Sequence, residues 1–298
     1  MSAPLAGRQE CLPSYVESPM TASPHILMCP PEFYGIEYEI NPWMSRRRQA
    51  DHKLAVRQWS ELHDILQAHG ATVSCMTPVK GLPDLVFTAN AGLIYRNVAV
   101  PARFRPEQRQ QEEAHDRQWF EEHGFQVRPL KSDTYLEGAG DALFCGDTLF
   151  AGYRIRSDVR GHQELGELMQ CEVIALELVD GRYYHLDTCF CPLAPRMAIY
   201  YPPAFDAYAR DVLRANVADL IAVSDEESEH FACNAVVLGK TVITNTGCPA
   251  LHEQLRQRGF ETAECPLSEF VKSGGSAKCL TLRLDGEDAA AWRSEGNQ

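Results

Sequence analysis

The chain contains no C-x-x-C spacing, no H-x-x-x-H or H-E-x-x-H spacing, no long apolar run and no surplus of positive charge. Each absence removes a class of protein. The eleven cysteines are scattered from Cys11 to Cys279 with only Cys189 and Cys191 close together, so neither a zinc cage nor a disulfide framework is indicated. A bilayer span needs about 18 or more consecutive apolar residues. None is present, and the first twenty residues lack the basic flank and apolar centre of a secretory signal, so a cytoplasmic location with no membrane partner is expected. With 28 Lys and Arg against 41 Asp and Glu, the net charge of −13 argues against binding nucleic acid through its phosphates. It is compatible with attracting a cationic small molecule, and equally with solubility alone.

What is present is a repeated pattern. Residues 51–69, 108–123 and 250–258 each read as a helix closed by a glycine (Gly70, Gly124, Gly259) and followed by a strand (ATVSCM, FQVRPL, FETAECPL). Two further blocks, Leu149 to Leu178 and Met197 to Val223, read strand, turn, helix, strand. The 298 residues, 45% hydrophobic, hold roughly five such units, which predicts an α/β fold. If the units close in a ring, strand ends from every unit face one central hollow. Only the first twenty or so residues and those after Asp285 read as loosely ordered.

Four polar segments interrupt this pattern. In Ser273-Gly274-Gly275-Ser276-Ala277-Lys278-Cys279, continuing into Leu-Thr-Leu-Arg-Leu, a thiol follows a glycine pair at the start of an apolar alternation. Read as one strand, this puts Cys279 at an open strand mouth, with a field favouring thiolate and Gly275 allowing close substrate approach. His185 and Asp187 share a face if their segment is extended, and a histidine beside a cysteine is a proton carrier. Tyr135 to Asp141 sets Glu137 and Asp141 among glycines, where carboxylates want a cationic partner. In Pro83 to Tyr95, read as a strand, Asp84 and Asn90 fall on one face. Arg109 and Arg156 are suited to gripping a carboxylate bidentately, although most arginines are surface residues. Each residue alone also has a plain structural explanation, as a cap, a turn or a satisfied core group.

Taken in order, TANAG, LEGAGD, HLD and GGSAKC resemble the guanidine-modifying superfamily, the pentein fold of arginine deiminases, dimethylarginine hydrolases and amidinotransferases. The resemblance spans Asn41-Pro42-Trp43-Met44 to Leu284. It implies a single catalytic domain over residues 1–298, a five-bladed α/β propeller with a central active site. It also implies a small-molecule guanidino substrate, no cofactor and no metal, and is compatible with a homo-oligomer. By position, Cys279 resembles the nucleophile, His185 the general acid and base, and Glu137 and Asp187 the groups holding the guanidinium. Arg109, in an R-x-x-E pattern with Glu112, and Arg156 resemble the clamps for the α-carboxylate. Asp84, Asn90, Gly275 and Asn41, the last in a candidate lid, complete the expected substrate site. Deiminases and dimethylarginine hydrolases carry aspartate where this chain has Asn90; with NPWM, FTANAG and YYPPAF the chain is similar to the arginine dihydrolase group. Alternatives left open are a deiminase, a dimethylarginine hydrolase, a citrulline hydrolase, an amidinotransferase and a non-catalytic guanidino-compound binder.

Overall fold

The computed structural model describes residues 23–286, so the loosely ordered ends expected from the sequence lie outside the described residues. Its elements follow one another as β1 (His25–Met28), α1 (His52–Ala68), β2 (Thr72–Cys75), β3 (Gly92–Tyr95), β4 (Val98–Pro101), α2 (Glu112–Glu122) and β5 (Gln126–Val127). Next come β6 (Ala142–Cys145), β7 (Thr148–Tyr153), α3 (His162–Met169), β8 (Glu172–Glu177), β9 (Phe190–Ala194), β10 (Met197–Tyr200), α4 (Ala207–Asn216) and β11 (Asp219–Ala222). The chain finishes through α5 (Asp225–Glu229), β12 (Val236–Leu238), β13 (Thr241–Asn245), α6 (Pro249–Gln257), β14 (Glu261–Cys265), α7 (Ser268–Val271) and β15 (Leu282–Arg283).

These strands make five three-stranded sheets. In four of them an antiparallel hairpin is followed by a helical crossover to a parallel strand: β3-β4-β5, β6-β7-β8, β9-β10-β11 and β12-β13-β14. The fifth is assembled from both ends of the described chain. There β1 pairs parallel with β2 across α1, and antiparallel with β15 through Ile26 opposite Arg283 and Leu27 opposite Leu282. The fold is therefore the pseudo-fivefold α/β propeller of the pentein proteins.

Local chemistry explains the units. The Asp51 and Asp206 side chains accept from the backbone N–H groups of Leu54 and Ala209, capping α1 and α4. Gly70, Gly124 and Gly259 follow α1, α2 and α6 with φ of +87°, +82° and +82°, the left-handed stop that glycine adopts without cost to a Cβ. Trp59, Leu62 and Leu66 on the inner face of α1 are buried against Ile26 and Met28 of β1. Full burial of one such leucine contributes about 1.5–3 kcal/mol. No helix among the described residues is long and apolar enough to cross a membrane.

Two segments differ from their sequence reading. Pro83 to Tyr95 is not one strand, because 3-10 turns at Pro83–Val86 and Thr88–Asn90 precede β3. Likewise Ser273 to Leu284 is mostly turn, and only Leu282–Arg283 pairs as strand. In both, apolar alternation arises from residues packing inward from a compact turn, which a period of two does not distinguish from extended chain.

Candidate active site

The turns leading into the inner strands bring the polar residues together. Thr88–Asn90 precedes β3, Gly138–Gly140 precedes β6 and Leu186–Thr188 precedes β9, each as a 3-10 turn. Asn234 stands just before β12, and Cys279 just before β15. A cavity at this end is lined by Asp84, Asn90, Arg109, Arg156 and Cys279. Ile40, Asn41 and Met44, from the long connection between β1 and α1, line it from the other side. Asn41 is fastened there, donating to the Ser273 carbonyl at 3.0 Å and accepting from the Trp43 N–H at 2.9 Å.

Cys279 is only 2% exposed, which corrects the expectation of an open strand mouth. Its Sγ donates to Asp187 Oδ2 at 3.3 Å and accepts from Asn234 Nδ2 at 3.1 Å. Burial and then the Asp187 carboxylate push the thiol well above the usual cysteine range, outweighing the Asn234 hydrogen bond. The local field thus favours thiol, opposite to the sequence reading. Gly275 has a different use from the one expected: a Cβ there would stand 2.7 Å from the Phe87 ring and 3.1 Å from the Cβ of Cys279. It permits dense packing under Cys279 and does not line the cavity.

His185 has extended backbone whereas Asp187 lies in the following 3-10 turn, so the two do not continue one strand face. They serve different neighbours. His185 Nε2 is 2.7 Å from Glu137 Oε2, and Asp187 meets Cys279. Glu137, 0% exposed, also accepts from Arg156 at 2.9 Å and from the Arg105 N–H at 3.1 Å. Burial by itself would raise its pKa, but the charge of Arg156 and the hydrogen bond from His185 hold the carboxyl well below the usual range. A carboxylate at Oε2 fixes the proton on His185 Nε2, leaving Nδ1 as the lone-pair nitrogen, 3.5 Å from Asn90 Nδ2.

Both arginines expected as carboxylate clamps line the cavity but already hold protein carboxylates. Arg109 grips Glu112 through Nε and Nη2, at 3.1 and 2.7 Å, and gives an Nη1 hydrogen to Asn90 Oδ1 at 2.8 Å. Arg156 pairs with Glu137, donates to the Ile40 carbonyl at 3.1 Å and lies 4.5 Å from the centre of the Tyr184 ring. Because a guanidinium only donates, Arg109 decides which end of the Asn90 amide faces it. Oδ1 turns to Arg109, so Nδ2 turns to His185. Gly140 makes room for this arrangement, since a Cβ there would fall 2.2 Å from Asn90 Nδ2.

The sequence marks Glu112 only through its spacing from Arg109 and gives no local sign of Asn234. Asn234 is fully buried, accepts from the N–H groups of Ser276 and Cys279 at 3.0 and 3.1 Å, and donates to the Asp187 carbonyl at 3.0 Å. Its signal was its place in the repeat: it stands two residues before β12, as Asn90 stands two before β3.

A family model described as N,N dimethylarginine dimethylhydrolase, eukaryotic, matches residues 37–285. The chain belongs to this family. Within it, the chain is 46% identical over 264 residues to the bifunctional arginine dihydrolase/ornithine cyclodeaminase ArgZ of Synechocystis sp., covering 87% of this chain and 37% of that protein. It is 40% identical to the N(G),N(G)-dimethylarginine dimethylaminohydrolase of Mycobacterium tuberculosis, covering 86% of this chain and 84% of the relative. Among solved structures of the family, the substrate-bound N-terminal domain of ArgZ, a cyanobacterial arginine dihydrolase, superposes with a TM-score of 0.85 at 45% identity. That match covers 88% of this chain and 98% of the other. The chain thus spans well under half the length of the bifunctional family members it matches.

Proposed function

We propose that this chain is a cysteine-dependent arginine dihydrolase, acting as a single catalytic domain. Overall, L-arginine and two waters give ornithine, two ammonia and carbon dioxide. The guanidinium enters beside Cys279 and near the carboxylates of Asp187 and Glu137, and its positive charge offsets the burial and the Asp187 charge that keep the sulfur protonated. The thiol proton passes to the lone-pair Nδ1 of His185, the thiolate adds to the guanidinium carbon, His185 hands that proton to the nitrogen that leaves as ammonia, and a covalent thiouronium remains. Water deprotonated by His185 then adds, and the sulfur leaves to give a bound ureido group. A second addition of sulfur expels the second ammonia, and water cleaves the resulting thiocarbamate.

The observation that carries this reading is the orientation of Asn90. With Oδ1 taken by Arg109, the side chain turns its N–H groups to the Glu137 carbonyl and His185 Nδ1 through long contacts of 3.4 and 3.5 Å, at a place where a carboxylate would grip a cation. A neutral donor loses little when the guanidinium becomes an uncharged ureido group and can hold the new carbonyl oxygen, keeping the intermediate in place for a second attack. The identity to ArgZ supports the same choice, and the family description supports hydrolysis of dimethylarginine as the second reading.

Product analysis decides between them. Purified protein is incubated separately with L-arginine, citrulline and N,N-dimethylarginine, and amino acids, ammonia and dimethylamine are counted. Two ammonia per ornithine from arginine are expected. Citrulline as the end product would make the chain a deiminase, and dimethylamine formation without ornithine from arginine would favour the second reading. An Asn90→Asp enzyme should release mainly citrulline, because a carboxylate repels the ureido oxygen. An unchanged ornithine to citrulline ratio would refute the role given to Asn90.

A further inference from the structure

Asp141, the second acid of the Tyr135 to Asp141 segment, is 1% exposed and does not line the cavity. The cationic partner expected for it is not what it meets. Its Oδ1 accepts from the Leu186 N–H at 3.0 Å and its Oδ2 from the Ser157 hydroxyl at 2.6 Å. The same hydroxyl oxygen accepts from the Glu137 N–H at 3.0 Å. One buried carboxylate thus holds the backbone beside both members of a pair, His185 Nε2 and Glu137 Oε2, which stand 2.7 Å apart. Gly152 leaves room for it: the Gly152 N–H donates to the Asp141 carbonyl at 2.8 Å, and a Cβ there would lie 3.0 Å from Oδ1. Burying a carboxylate against neutral donors alone is costly, so what those donors hold in place is the reason to look for its use.

Resting on the reading of His185 as the proton carrier, we propose that Asp141 is a positioning residue that sets His185 against Glu137, and that it does so only as a carboxylate. Both of its oxygens already face donors, so a proton added to either displaces one of them. Loss of the Leu186 contact frees the backbone after His185, and loss of the Ser157 contact frees the backbone of Glu137. Either change loosens the hydrogen bond that keeps the proton on His185 Nε2 and leaves Nδ1 open to the thiol's proton. The charge of Asp141 contributes too, because a carboxylate this close to His185 favours the imidazolium formed when that proton arrives. Burial pushes the Asp141 carboxyl up to about 6, against the opposing influence of the His185 charge and the Ser157 hydrogen bond. Glu137 on its own turn and Cys189 beyond His185 are the other titratable groups beside it. The carboxylate is therefore present above about pH 6 and is lost as pH falls through that value.

The test follows His185 itself. Nitrogen NMR of protein carrying isotopically labelled histidine, with the His185 signals identified by their absence in His185→Gln, should show the Nε2–H tautomer in the wild type. Asp141→Asn should replace it by a mixture of tautomers, lower kcat for L-arginine about a hundredfold and leave KM within about threefold. Because asparagine does not titrate, this variant should also lack the acid limb of the wild-type kcat profile, centred at about pH 6. Ser157→Ala removes one oxygen and should cost about tenfold in kcat. It should also move the acid limb to higher pH, since the hydroxyl holds the Asp141 carboxyl down. If Asp141→Asn does not fold, Ser157→Ala decides alone. A carboxylate that only braced the fold would lower the unfolding midpoint of both variants and leave the His185 signals, kcat and acid limb as in the wild type, which would overturn the assignment. Wild-type protein that makes no product from L-arginine, citrulline or dimethylarginine refutes the proposed function; turnover in which both variants match the wild type refutes only this inference.

Discussion

Cys279→Ser protein should lose L-arginine turnover by more than about a thousandfold while still folding and binding arginine. Serine preserves the contacts with Asp187 and Asn234 in kind, so its thermal midpoint should stay within a few degrees of wild type. What disappears is a group able to ionise near neutral pH when a cation arrives. The thiol has the corresponding signature before substrate binds. Raised by burial and by Asp187, it should react slowly with iodoacetamide at pH 7, and the rate should climb with pH as thiolate is forced to appear. Residual turnover at wild-type rate would remove Cys279 from the chemistry. Rapid alkylation at pH 7 without substrate would show a preformed thiolate instead.

Asn234→Ala is expected to cost about 2–4 kcal/mol of stability and about a hundredfold in kcat. One amide joins three parts of the site: the turn before Cys279, the sulfur, and the Asp187 backbone. Truncation leaves two buried N–H groups and a buried carbonyl to find new partners. Urea unfolding followed in parallel with steady-state kinetics measures both losses. Asn234→Asp separates the two roles, because it keeps an acceptor for the N–H groups but replaces the donor at sulfur with an anion. Most of the stability should return and little of the activity. Wild-type stability and kcat in Asn234→Ala would show the hydrogen bonds to be incidental.

Much of the architecture was legible because it depends on local signals. The three glycine stops closed their helices as read, and the strands after them occupy Thr72–Cys75, Gln126–Val127 and Glu261–Cys265. The closing of the fifth sheet had no such signal, since Leu27 and Leu282 are partners only through the whole tertiary fold. In the site, polar residues stood out where they interrupted apolar segments, as with Asn90, Glu137, His185 and Cys279. Their partnerships did not. That Arg109 holds Glu112 and turns Asn90, or that Asp187 faces the sulfur, depends on how separate units meet in space. Asn234 illustrates the remaining gap: it is an ordinary residue type beside an ordinary strand, visible only when the units are laid over one another in register.

The pairing of β15 with β1 places Cys279 three residues before the strand that closes the ring. A ribosome making this chain therefore exposes His185, Glu137 and Asn90 long before it adds the sulfur. No folding intermediate lacking the last blade contains a working centre. Under the proposed function, chemistry begins only once the circle is shut, and a half-made protein would release no ammonia from arginine.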